Sequence, residues 1–141
     1  MKTRRHDWKA VTLRWWPTLL TLLAVLWLTL APDPVPDTGV TLFPNADKVV
    51  HAIMMGGLAS ALFFDYRRPV CHVEHALTWR KVAMLAVCVA IFAAIDEWAQ
   101  GAMAIGRTSD LHDLLADWAG IILATVSVPP MLNKYFGRRN N

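Results

Sequence analysis

The sequence predicts an all-α integral membrane protein, a bundle of four transmembrane helices with both termini in the cytoplasm. Of the 141 residues, 55% are hydrophobic, and the mean hydropathy of +0.35 is well above that of a soluble domain of this size. Four apolar runs recur along the chain, at 15–31, 49–64, 82–95 and 114–132. Basic residues concentrate in alternate connections between these runs, as the positive-inside rule requires of a four-helix protein.

The first apolar run, at 15–31, follows a basic segment at 1–14 that we place in the cytoplasm. The run is long for the core of a signal peptide, and no small-residue cleavage site follows it. The next stretch reads APDPVPDTG, and its prolines favour a helix stop followed by an extended loop. We therefore expect a retained first helix, which opens a four-helix membrane domain at 15–132.

The second and third runs reach the length of a membrane span, about 20 residues, only if polar residues at one end are included. The second run begins within DKVVH, and the third takes in DEWAQ if it extends to residue 104. The fourth run contains Pro129 and Pro130, which we expect to mark the inner end of its helix because proline interrupts an α-helix. A basic cytoplasmic tail at 133–141 follows.

Lysine and arginine set the expected orientation in the membrane. Twelve of the 14 basic residues lie before the first run, between the second and third, or in the tail. The other two connections hold only Lys48 and Arg107. Tryptophan and tyrosine residues fall near both expected membrane surfaces, which supports the same topology. The lipid bilayer is the expected environment, and we expect no nucleic-acid partner.

Polar side chains gather where the second, third and fourth helices reach the outer surface. Residues three or four apart share one face of a helix, and the fourth helix carries such a stripe at Asp110, Asp113 and Asp117. Ionisable groups in spanning segments usually face the bundle interior and mark a functional site. We therefore expect one outward-facing polar pocket. Its expected members are Asp47, Lys48, His51, Glu97, Gln100, Arg107, Asp113 and Asp117.

Simpler explanations exist for several of these residues. Asp47 and Asp110 could be helix N-caps, Lys48 could be a counter-ion for the excess carboxylates, and His51 could be a packing residue. Asp117 is different, because it lies about 10 Å along the helix from Asp110 and so cannot be a cap. Small residues repeat every four positions in both helices and are expected to let the helices pack closely. They are Ala52, Gly56 and Ser60 in one helix and Ala116, Gly120 and Ala124 in the other.

The order and spacing of these motifs resemble those of the VanZ-like membrane proteins, over about residues 42–132. The matching residues are Asp47, Lys48 and His51 of DKVVH, Glu97 and Gln100 of DEWAQ, and Arg107, Asp113 and Gly120 of RTSDLHDLLADWAG. Many relatives carry Asn at the position of Asp117, and an ionised Asp can only accept hydrogen bonds. The founding member is associated with low-level resistance to the glycopeptide antibiotic teicoplanin. The resemblance therefore implies a multi-pass protein of the bacterial plasma membrane with a role in the cell envelope.

Two classes of function are open. The first is non-catalytic: a module that binds or transports an envelope lipid, glycan or glycopeptide-type ligand, or a partner of envelope-synthesis proteins, with the polar residues as an ion-pair network that holds three helices in register. This class is slightly favoured because no nucleophile motif or phosphate-binding loop is present. The alternative is a membrane-embedded hydrolase or transferase that acts on an outer-leaflet lipid or cell-wall precursor. In that case His51, Glu97 and Asp113 are the candidate catalytic residues. A divalent metal is a candidate cofactor: oxygen ligands suit Mg²⁺ or Ca²⁺, and a histidine allows Zn²⁺ or Mn²⁺. Its candidate ligands are His51, Glu97, Asp113 and Asp117.

Overall fold

The computed structural model describes residues 14–31, 45–68, 76–103 and 110–138. These ranges form four α-helices and contain no strand: α1 is Trp16–Leu30, α2 is Ala46–Arg67, α3 is Trp79–Met103 and α4 is Leu111–Arg138. The prediction of an all-α bundle of four helices is confirmed. Arg107 lies outside the described ranges.

Three of the four helices are long and apolar enough to cross a membrane, namely α2, α3 and α4. The remaining helix, α1, is apolar but has only 15 residues. Both α2 and α3 extend beyond their apolar runs, since α2 takes in Asp47 and Lys48 and α3 takes in the whole of DEWAQ. Polar residues therefore lie within the spans, as the run lengths indicated.

Polar contacts at the helix ends show how the four helices run relative to one another. The Thr18 hydroxyl near the start of α1 donates to Asp65 near the end of α2, at 2.7 Å, so these helices are antiparallel. Lys48 contacts Asp113 where α2 and α4 begin, and Arg67 contacts Asn133 where both approach their ends. Hence α2 and α4 are parallel, and the chain alternates in direction through the bundle. The cytoplasmic location of the termini stays a prediction.

The two parallel helices approach closely at glycine. A Cβ atom placed on Gly56 would lie 2.9 Å from the carbonyl oxygen of Gly120, and one on Gly120 would overlap the carbonyl of Ala52. Any larger side chain at either position would push the backbones apart. The expectation that the small residues let these helices pack closely is confirmed here, and this close approach holds the polar ends of α2 and α4 together.

Large apolar side chains cover much of the outer surface of the bundle. Leu23 on α1, Ile53 on α2, Trp98 on α3 and Leu123 on α4 are all well exposed. The interior is filled by a separate set of apolar side chains, including the fully buried Phe63. In water an apolar outer surface of this kind would be unstable, whereas in a bilayer it faces lipid tails.

The prediction that Pro129 and Pro130 end the fourth helix is wrong, because α4 continues to Arg138 with both prolines inside it. Each proline removes one backbone N–H donor, a loss that membrane helices tolerate when neighbouring contacts compensate. Beyond the prolines, the Asn133 side chain receives a hydrogen bond from the Leu77 N–H at 3.3 Å and donates one to the Leu77 carbonyl at 2.9 Å. The helix is thus held to the bundle beyond the prolines.

Candidate functional site

A group of polar side chains, called the polar cluster below, lies at the end of the bundle where α2 and α4 begin and α3 ends. His51 is five residues into α2 and Asp117 six residues into α4, while Glu97 precedes the end of α3 by six. At 1.5 Å per residue these offsets place all three at about 7–9 Å from the helix ends. The members of the polar cluster are Thr29, Asp47, Lys48, His51, Asp96, Glu97, Gln100, Asp110, Asp113 and Asp117.

The imidazole of His51 lies between two carboxylates of α4. Its Nδ1 is 3.1 Å from Oδ1 of Asp117, and its Nε2 is 4.0 Å from Oδ2 of Asp113. Asp117 is only 1% exposed. The spacing of four residues between Asp113 and Asp117 places both on one helix face, and the close approach of α2 brings the histidine against that face.

Lys48 contacts three carboxylates at the outer edge of the polar cluster. Its Nζ lies 3.0 Å from Asp113, 3.0 Å from Asp47 and 3.5 Å from Asp110. These are the contacts of a counter-ion, and through Asp113 they continue to His51. Asp47 is at the margin, with its side chain 59% exposed, so its pair with Lys48 contributes little to stability.

Glu97 joins the end of α3 to the beginning of α4. Its Oε1 accepts a hydrogen bond from the backbone N–H of Asp110. Its Oε2 is buried and accepts no hydrogen bond from any residue that the structure describes, although the residue is only 5% exposed. The carboxylate is therefore fixed at one oxygen and available for a ligand at the other.

Asp96 and Thr29 also belong to the polar cluster, and the sequence interpretation did not include them among the site residues. The Thr29 hydroxyl at the end of α1 donates to Asp96 Oδ1 at 3.0 Å, and the Gln100 amide donates to Asp96 Oδ2 at 3.2 Å. The spacing of four residues between Asp96 and Gln100 could have indicated the second contact. A single threonine at the end of an apolar run gave no such signal. These bonds bring α1 into the site.

Asp110 caps α4 and stands just outside the membrane-spanning helix. Its Oδ1 accepts a hydrogen bond from the backbone N–H of His112, and the His112 ring lies 2.9 Å from the same oxygen. These hydrogen bonds lower the pKa of Asp110, because they stabilise the charged form. The His112 side chain is 74% exposed, so it lies at the surface.

Most of the predicted site residues lie together. The structure places Lys48, His51, Glu97, Gln100, Asp113 and Asp117 within the polar cluster and Asp47 at its margin, while Arg107 lies outside the described ranges. Three members, His51, Glu97 and Asp117, each offer one ligand atom, and these atoms all lie within 4.8 Å of one another. This group could hold a metal ion. Asp113 contacts the group through His51 without belonging to it.

An open groove of about 610 Å³ runs between α2 and α4 and begins at the polar cluster. Lys48 and Asn45 line its upper end, and it continues past Gly56 and Ala119 to Val128. Apart from Lys48 and a few small polar groups its walls are apolar. The groove therefore connects the polar cluster to a mostly apolar channel that opens toward the lipid.

The family model described as VanZ/LLP1 matches residues 16–132, most of the chain. The chain belongs to the VanZ/LLP1 family. Every member of the polar cluster lies within the matched region, so the VanZ resemblance of the motifs is confirmed at the level of the family. Searches of curated proteins and of solved structures found no match.

Proposed function

We propose that this VanZ-family protein binds an amphiphilic ligand of the bacterial cell envelope. The polar part of the ligand would occupy the polar cluster, and its apolar part would lie in the groove between α2 and α4. The observation that carries the proposal is the continuity of the two regions at Lys48, which both contacts the carboxylates and lines the groove.

The cost of the buried charges supports a binding role. A charged side chain in a membrane helix is penalised, by roughly 2.5–3.5 kcal/mol at the helix centre on insertion scales and by less near the ends, where the carboxylates of the polar cluster lie. Asp117, Asp96 and Glu97 are all buried, and simple helix packing would be achieved more cheaply by apolar residues. An arrangement that keeps three such groups at one level is expected to serve a ligand.

The shape of the groove supports an amphiphile in particular. The small residues Ala119 and Gly56 leave a shallow channel between the helices. Because the channel is mostly apolar, a chain of methylene groups could fill it with little loss of free energy. The basic-residue asymmetry predicts that the groove's polar end faces the outer leaflet of the plasma membrane. Envelope lipids, lipid-linked glycans and glycopeptides such as teicoplanin are accessible there.

The proposal is tested with purified full-length protein in detergent, by native mass spectrometry with a prenyl phosphate and with phosphatidylglycerol as probes. Ala119→Trp fills the groove and should weaken binding of a prenyl or acyl chain by about tenfold, which corresponds to roughly 1.4 kcal/mol. The matched control is Ile95→Trp, which adds the same ring to an exposed position of α3 outside the groove. Equal binding by both variants would contradict the proposal.

A second candidate function is hydrolysis or group transfer on the same class of ligand. It is favoured by Oε2 of Glu97, which accepts no hydrogen bond from the described residues, beside the His51–Asp117 pair, because a general base needs a basic atom without a competing partner. Incubation with the prenyl phosphate should then release inorganic phosphate, and Glu97→Gln should abolish the release. Tight binding without turnover would leave the protein a binding module.

A further inference from the structure

We propose that His51, Glu97 and Asp117 form a binding site for a divalent transition-metal ion. The ligand atoms would be one imidazole nitrogen and one oxygen from each carboxylate. Each of the three helices α2, α3 and α4 supplies one ligand, so a bound ion would also tie the three helix ends together.

The distances fit such an ion after a small adjustment. With metal–ligand bonds of about 2.1 Å in tetrahedral geometry, two ligand atoms lie roughly 3.4 Å apart. His51 Nδ1 and Asp117 Oδ1 are 3.1 Å apart, already close to that value. The full set lies within 4.8 Å, and rotation of the Glu97 side chain can close the remaining gap. In the structure His51 Nδ1 and Asp117 Oδ1 lie within hydrogen-bond distance of each other.

The state of Glu97 is an independent reason to expect a cation. Oε2 is buried and accepts no hydrogen bond within the described part of the chain, and leaving a buried acceptor without a partner carries a full desolvation cost. Glu97 is buried, with only 5% of the residue exposed. A metal ion would supply the missing partner without requiring any further donor from the protein.

Contacts behind the proposed ligands hold them in position. Oε1 of Glu97 is held by the backbone N–H of Asp110, and Nε2 of His51 faces Asp113 at 4.0 Å. Asp113 is itself held by Lys48 at 3.0 Å. In many metal sites a carboxylate accepts a hydrogen bond from the far nitrogen of a histidine ligand and so fixes the ring and its tautomer. Asp113 lies near that nitrogen, at a distance longer than a hydrogen bond.

Charge balance favours a divalent ion. The carboxylates of the polar cluster outnumber its lysine and arginine side chains among the described residues, and Lys48 is shared by Asp47, Asp110 and Asp113. A divalent cation would offset part of this excess negative charge, which matters because uncompensated charge is costly at membrane depth. One nitrogen and two oxygen ligands suit Zn²⁺ or Mn²⁺ better than Ca²⁺.

A site with three protein ligands leaves at least one coordination position for water or for an oxygen of a ligand. The polar cluster is rich in carboxylates, which repel a phosphate or carboxylate group. A bound metal ion would add the positive charge needed to bind such a group. This consequence rests on the proposed binding of an envelope ligand, whereas the existence of the metal site does not.

The test uses tag-free full-length protein, stripped with a chelator and titrated with Zn²⁺, Mn²⁺ and Co²⁺ alone. We expect one ion per chain, with visible d–d absorption from bound Co²⁺. Glu97→Gln and His51→Ala should each weaken binding by about 100-fold or more, and Asp113→Asn by about tenfold. Asp65→Asn is the matched control, since it neutralises a buried carboxylate at the opposite end of the bundle, outside the polar cluster, and it should keep the wild-type affinity.

Two results would overturn the metal site: no binding above the level of the Glu97→Gln variant, or equal loss in Asp65→Asn and Glu97→Gln. Folding is checked in each variant by size-exclusion chromatography, and Glu97→Gln keeps the shape of the side chain if His51→Ala fails to fold. Because no envelope ligand is present in this titration, its outcome is independent of prenyl-phosphate binding.

Discussion

Replacement of Asp117 separates the role of its charge from the role of its hydrogen bond. Asp117→Asn removes the charge but keeps a side-chain oxygen that can accept a hydrogen bond from Nδ1 of His51. In the wild type this nitrogen lies 3.1 Å from Oδ1 of Asp117. Asp117→Ala removes both. The difference in unfolding free energy between the two variants therefore isolates the hydrogen bond, while the difference between wild type and Asp117→Asn reports the charge.

The expected magnitudes follow from burial. A buried group left without its hydrogen-bond partner costs about 1–3 kcal/mol, so in chelator Asp117→Ala should be less stable than Asp117→Asn by that amount. Asp117→Asn should be at least as stable as the wild type under the same conditions, because the neutral amide avoids the cost of a buried carboxylate, for which the helix-centre value of roughly 2.5–3.5 kcal/mol on insertion scales is an upper bound.

The assay is reversible unfolding in mixed detergent micelles, followed by tryptophan fluorescence in the presence of a chelator. Repeating both substitutions in a His51→Ala background completes a double-mutant cycle, and there the difference between Asn and Ala at 117 should shrink to a few tenths of a kcal/mol. If Asn and Ala at this position are equally stable with His51 intact, the His51–Asp117 contact does not contribute to the fold and our reasoning fails.

Three further predictions concern the bundle. Gly120→Val should destabilise the protein by about 1–3 kcal/mol, because the valine side chain would overlap the backbone of α2. Gly57→Val is the control, since its side chain would enter open space. Equal effects of the two substitutions in thermal unfolding would contradict the close packing of α2 and α4 at Gly120. Asn133→Leu should lower the free energy of unfolding by about 1–3 kcal/mol in the same measurement, because both hydrogen bonds to Leu77 are lost. An unchanged thermal midpoint would show that these hydrogen bonds do not stabilise the position of α4. Single cysteines at positions 38 and 78 in a cysteine-free background should be labelled by an impermeant thiol reagent from outside at 38 only, and labelling at 78 alone would reverse the predicted topology.

The fold could be predicted from the sequence because each helix produces a long apolar run and each run lies between charged or proline-rich segments. The ends of the helices were harder to predict from the sequence, because they depend on whether polar residues have hydrogen-bond partners elsewhere in the fold. The end of α4 shows this most clearly: proline is unfavourable in a helix taken alone, yet the helix continues past both prolines, and beyond them Asn133 is hydrogen-bonded to Leu77. Those partners are 56 residues apart, and no local pattern reports such a contact.

The polar cluster could be predicted in part for a similar reason. His51, Asp113 and Asp117 follow helical periodicity and lie at matching distances from the ends of their helices, so the alternation of direction brings them together. The bond between Thr29 and Asp96 depends on how α1 packs against α3, which helical periodicity does not encode. The buried Asp65 at the opposite end, which accepts two bonds from Thr18, was missed for the same reason.

The most direct test of the proposed amphiphile site is site-specific photocrosslinking in native membranes. A benzophenone amino acid is introduced at Val49, which lines the groove, or at Ile95, which is exposed on α3 outside it, and the captured molecules are identified by mass spectrometry. The proposal predicts that position 49 captures a particular envelope amphiphile enriched over the bulk lipids, and that added prenyl phosphate competes with this capture. Capture of the same bulk phospholipids in the same proportions at both positions would contradict it.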